Sequence, residues 1–72
     1  MIKIKKIKIK LNGKIKTIKD NTKLSNLLEN LKIPIKKVAI EINQNIVDKK
    51  KLSKINLKNN DKVEIVHFIG GG

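Results

Sequence analysis

The feature that most limits what this chain can fold into is an alternation that ends on Asn-Gly. From Ile2 to Leu11 apolar residues and lysines take turns, the period of a strand with one face on a core and the other in water. The phase slips at Lys5-Lys6, with Ile2 and Ile4 in one register and Ile7, Ile9 and Leu11 in the other, which predicts a bulge or a frayed start near Lys5. Asn12-Gly13 follows, two residues that tolerate positive φ, and such a pair between alternating runs signals a tight hairpin. Ile15 to Ile18 is the returning strand.

Beyond the hairpin the period changes. Asp20-Asn21-Thr22 supplies helix-capping chemistry, and Leu24, Leu27, Leu28 and Leu31 fall at i, i+3, i+4 and i+7, the apolar stripe of a short helix that Pro34 ends. Val38, Ile40 and Ile42 alternate with Ala39, Glu41 and Asn43 in a third strand, closed by a turn at Asn43-Gln44-Asn45, with Ile46-Val47 as a brief continuation. A lysine-rich loop carrying Leu52 and Ile55 has room for one helical turn. Lys58-Asn59-Asn60-Asp61 then reads as a tight turn into a last strand from Lys62 to Phe68.

Hairpin, helix, strand, irregular crossover and strand, with no repeat and no linker, is the order of an α+β chain of the β-grasp (ubiquitin-like) type. In that fold a mixed sheet of four to five strands packs on one helix, and the first and last strands run side by side and parallel. Residues 1–68 are expected to form a single domain and residues 69–72 a flexible glycine-rich tail.

Composition narrows the function classes. A chain of 72 residues buries only about 60% of the surface it exposes when unfolded, so a deep catalytic pocket is not expected. With no cysteine, neither disulfides nor a thiolate metal site can supplement the core. The N-terminal segment has charges throughout and no continuous apolar run, which argues for a cytoplasmic protein with no membrane span. The net charge of +12 alone would favour nucleic acid or an anionic surface. Yet every basic residue is lysine and Phe68 is the one aromatic, so the arginine fork and the stacking rings that read bases are missing. Abundant isoleucine and asparagine beside the lysines match an AT-rich coding bias, and no nucleic-acid or membrane partner is expected.

The segment Val38-Ala39-Ile40-Glu41-Ile42-Asn43, the following Ile46-Val47, and the ending from Asp61 through Val63-Glu64-Ile65-Val66-His67-Phe68 to Gly70-Gly71-Gly72 together resemble the ubiquitin-like sulfur carriers of thiamine (thiazole) biosynthesis. The likeness covers roughly the whole chain and is weakest before Leu24. A terminal Gly-Gly alone is shared with ubiquitin, the small subunit of molybdopterin synthase and the tRNA-thiolation carriers; the run Val-Glu-Ile-Val-His-Phe points to the thiazole branch. The resemblance implies a carrier and not an enzyme, a free monomer with no bound cofactor. A partner activating enzyme would use ATP to adenylate Gly72, a persulfide donor would convert the adenylate to a thiocarboxylate, and thiazole synthase would receive the sulfur. Three alternatives stay open at this point: a carrier for molybdopterin or tRNA thiolation, a lysine-rich nucleic-acid binder, and a modifier that couples Gly72 to a lysine amine.

The chemistry of the tail suits a carrier. A terminal carboxyl, with a pKa of about 3.5, is an anion at neutral pH and a poor electrophile until it becomes a mixed anhydride. Gly70, Gly71 and Gly72 have no side chains to clash in a narrow channel, and the stretch from Phe68 to Gly72 reaches roughly 13 Å when extended. If Val63 and Ile65 face the helix, alternation puts Val66 and Phe68 on the opposite face beside Ala39, a candidate docking patch unless a loop covers it. His67 lacks the partners that catalysis or metal binding needs and is expected at a packing or interface position. Lys49-Lys50-Lys51 reads as a solvated loop. Asp20, Glu29, Asp48 and Asp61 are dispersed, so no metal site is expected.

Overall fold

In the computed structural model, which describes residues 5–68, the hairpin forms at its Asn-Gly turn. Strand β1 (Lys6–Leu11) pairs antiparallel with β2 (Lys14–Lys19), Leu11 opposite Lys14, and the two-residue loop holds Asn12 at φ 49° and Gly13 at φ 84°. Two positive φ values match the right-handed twist of the strands, which is why this dipeptide works here. Lys5 precedes the strand and Ile2 and Ile4 lie outside the described residues, so the expected phase slip falls at its boundary.

Helix α1 (Leu24–Asn30) buries Leu24, Leu27 and Leu28, with Leu31 half-buried, so the i, i+3, i+4, i+7 stripe is the face laid on the sheet. Its ends correct the sequence reading. Asp20 and Thr22 do not cap it: Asp20 Oδ1 accepts from the Asn21 amide and the Thr22 hydroxyl donates to the Lys19 carbonyl, both within the preceding turn. Lys23 stands at the N-cap without a side-chain bond. Instead the Leu24 amide donates to the Ile55 carbonyl and the Leu57 amide to the Thr22 carbonyl, both at 2.9 Å, so the crossover segment ties down the helix start. Nor does Pro34 stop the helix. Lys32 takes φ 55°, its amide donating to Glu29 and the Ile33 amide to Leu28, the paired bonds of a Schellman motif built on a lysine.

After a 3-10 turn at Ile35–Lys37, strand β3 (Val38–Ile42) turns through Asn43 and Gln44, both at positive φ, into the short β4 (Asn45–Ile46). The lysine-rich crossover contains a second 3-10 segment, Lys49–Lys54, whose one buried residue is Leu52. Strand β5 (Lys62–His67) then runs between β1, to which it is parallel, and β3, to which it is antiparallel. The sheet order is β2-β1-β5-β3-β4, the mixed β-grasp sheet with first and last strands adjacent. Ile9, Ile18, Val38, Ile40, Val63 and Ile65 face α1, and Leu52 and Leu57 close the core from the crossover.

Asparagine side chains splice the central strands together. Only two residue pairs make up the β1–β5 ladder, and an asparagine continues it at each end. Asn12 Oδ1 accepts from the Ile65 amide at 2.7 Å while its Nδ2 donates to the Ile65 carbonyl at 3.3 Å; at the other end Asn59 Oδ1 accepts from the Lys8 amide at 2.9 Å. Asn43 does the same between β3 and β5, its Oδ1 accepting from the Lys62 amide. A side-chain amide carries a donor and an acceptor at peptide-like spacing, so it can stand in for backbone where the chain has already turned away.

Candidate functional site

Strand β5 is the last strand of the described residues, and its outward side chains form one row on the sheet face that α1 leaves uncovered. Along β5 these are Lys62, Glu64 and Val66, with Phe68 just beyond the strand and held by a 2.9 Å bond from its amide to the Lys37 carbonyl. The register assigns each a neighbour: Lys62 stands beside Lys10, Glu64 beside Glu41, and Val66 beside Ala39. The outer face is thus basic at one end, acidic in the middle and apolar at the tail end.

Of the residues expected on this face, Val66 stands opposite Ala39, and Phe68 follows at the end of the strand. Val66 is 54% and Phe68 58% exposed, and Ala39 lies half-buried between its neighbours. Lys49 of the crossover reaches over the Phe68 ring, its Nζ 5.2 Å from the centroid in a cation–π contact, and Phe68 remains exposed. His67 is exposed at the strand end, so it does not pack into the core. Lys50 and Lys51 are exposed too, as a solvated segment requires.

Two exposed isoleucines extend the face beyond the expected patch. Ile46, 81% exposed, pairs with Glu41 on β3, and Ile15, 69% exposed, pairs with Lys10. The signal for Ile46 lay in the hairpin: a two-residue loop at Asn43-Gln44 puts it opposite Glu41 and hence on the outer side. Ile15 sits with Lys8, Lys10, Asn60 and Lys62 around a shallow groove of about 270 Å³ at the basic end. No group of three or more histidine or acidic side chains is placed to hold a metal ion among the described residues. Gly70, Gly71 and Gly72 lie outside the described residues.

Comparison with known proteins gives a consistent result. The ThiS family profile matches residues 9–72, a span that includes the terminal glycines. The chain is 38% identical over 65 residues to the sulfur carrier protein ThiS of Bacillus subtilis, covering 89% of this chain and 98% of that one. It is also 39% identical over 66 residues to a thiazole synthase of Magnetococcus marinus, covering 92% of this chain but only 20% of the larger protein. The crystal structure of the thiamine biosynthesis protein ThiS from Geobacter metallireducens superposes with a TM-score of 0.77 at 28% identity, covering 92% of this chain and all of that one.

Proposed function

The chain belongs to the ThiS family and is a sulfur carrier of thiamine biosynthesis, and we propose that the sulfur rides on the terminal carboxyl of Gly72. The observation that carries this reading is the extent of the family match, which runs through Gly72 and so takes in the tail as well as the folded body. An activating enzyme joins the carboxylate to the AMP portion of ATP and releases pyrophosphate. The sulfane sulfur of a persulfide then displaces AMP, and a thiol reductant frees the thiocarboxylate. The carrier supplies an unhindered electrophilic carbon and no general base; the catalysis belongs to its partners.

Thiazole synthase is the acceptor of the sulfur in this reading. Support comes from a thiazole synthase in which a segment similar to this chain makes up a fifth of the polypeptide. The apolar patch of Ala39, Val66 and Phe68 is where partner enzymes dock, because it is exposed and adjoins the start of the tail. The compartment that fits is the cytoplasm, where ATP is available to the activating enzyme.

Removing Gly71-Gly72 tests the proposal. The truncated chain is expected to keep the circular dichroism spectrum and melting temperature of the full chain, since the core and sheet lie upstream, and to support no thiazole formation with purified activating enzyme, persulfide donor and thiazole synthase. Thiazole formation at the full rate would refute the role given to the tail.

A further inference from the structure

Glu41 and Glu64 stand directly opposite each other across β3 and β5 on the outer side of the sheet. Like charges in that position destabilise a strand pair. The chain has 18 lysines and 6 acidic residues, so two of the six facing one another is costly for folding and no help to it. Neither side chain forms a hydrogen bond to any of the described residues. Their place on the face gives them a different use. Ile46 lies on one side of the pair, and Val66 comes two residues further along β5, so the carboxylates interrupt an exposed apolar surface. Phe68 is four residues from Glu64, about 13 Å along the strand direction, and the tail starts beyond it.

We propose that this face docks on the activating enzyme through a guanidinium of that enzyme, which enters between Glu41 and Glu64 while Ile46, Val66 and Phe68 seat on an apolar floor. Side chains directly opposite in an antiparallel pair have Cβ atoms about 5 Å apart, a spacing at which one planar guanidinium reaches both carboxylates with separate N–H edges. The inference rests on the sulfur-carrier reading. The activating enzyme is the occupant because it meets the carrier before any covalent mark exists, when the tail offers only a carboxylate common to every protein. Recognition at that step has to come from the body of the carrier. A second copy of the chain fits poorly, since two bodies of charge +12 repel. An anionic surface would be drawn to the row of Lys10 and Lys62 and repelled by the carboxylates.

The test is the affinity of purified activating enzyme for Glu41→Gln, Glu64→Gln and the double variant, with Glu29→Gln on the exposed side of α1 as the control for net charge. Loss of one charge-assisted hydrogen bond is expected to raise Kd about tenfold in each single variant and by about 100-fold in the double, with Glu29→Gln within about twofold of the parent. At saturating enzyme the variants gain sulfur as fast as the parent, so KM rises and kcat does not. Double-variant binding within about twofold of a parent that does gain sulfur would overturn the guanidinium contact alone. A parent that gains no sulfur would overturn the carrier reading and this inference with it. A parent that sediments as a dimer, dispersed by the glutamine variants, would assign the pair to a second copy and overturn it as well.

Discussion

Replacing Asn12 with glycine isolates what a side-chain amide contributes to a sheet. Asn12 occupies φ 49°, which glycine adopts without strain, so Asn12→Gly keeps the turn and removes the two bonds to Ile65. Ile65 is only 7% exposed, and its amide would lose the 2.7 Å bond at the point where β5 runs past the end of β1. A buried donor left without a partner costs about 1–3 kcal/mol, and the partly buried setting of this bond places the expected loss in the lower half, at about 1–2 kcal/mol. For a domain of this size each kcal/mol moves the melting temperature by about 4–8 °C, so a fall of roughly 5–15 °C is expected. Far-ultraviolet circular dichroism is the assay, because the chain has no tryptophan or tyrosine to report by fluorescence. Asn21→Gly is the matched control: Asn21 has φ 64° and its side chain bonds to none of the described residues, so that substitution should shift stability by less than about 0.5 kcal/mol. Equal melting temperatures for the two variants would refute the splice.

Other perturbations test other parts of the structure. Lys32→Gly should stabilise the fold by about 1 kcal/mol in urea denaturation, because a lysine at φ 55° bears a steric penalty that glycine does not; a loss of stability would mean the lysine side chain contributes packing that outweighs it. Leu28→Ala empties a fully buried position under the helix and should cost about 2–5 kcal/mol, enough to unfold much of a domain this small at 37 °C; a cooperative melt shifted by only a degree or two would contradict the core assignment. Phe68→Ala should leave the melting temperature within a few degrees of the parent, the ring being mostly exposed, and weaken binding to the activating enzyme at least tenfold; loss of folding instead would refute the docking role.

Periodicity made most of the fold legible. The two-residue alternation in Ile7–Leu11, Val38–Ile42 and Val63–Ile65 and the leucine stripe from Leu24 to Leu31 each report which face is buried, and those faces meet in one core. Local chemistry was a poorer guide to the helix ends. Asp20 and Thr22 are good capping residues, yet they close the turn they sit in, because the crossover backbone at Ile55 and Leu57 already holds the helix start. No glycine marks the helix C-terminus, so nothing in the sequence distinguished Lys32 from its neighbours as the residue that takes positive φ. The splices by Asn12 and Asn59 link residues 53 and 51 positions apart, beyond the reach of any local pattern. On the candidate docking face, alternation placed Ala39, Glu41, Glu64 and Val66 on the outer side. Which of them stand side by side, Val66 with Ala39 and Glu64 with Glu41, was not legible, since it requires knowing which residue of β3 lies opposite which residue of β5.

The most direct test of the sulfur-carrier assignment is the intact mass of the protein after incubation with its activating enzyme, ATP and a persulfide donor. Replacement of one carboxyl oxygen by sulfur adds about 16 Da, and fragmentation should place the added mass on Gly72. An unchanged mass with active partner enzymes, or an added mass on any other residue, would contradict the assignment.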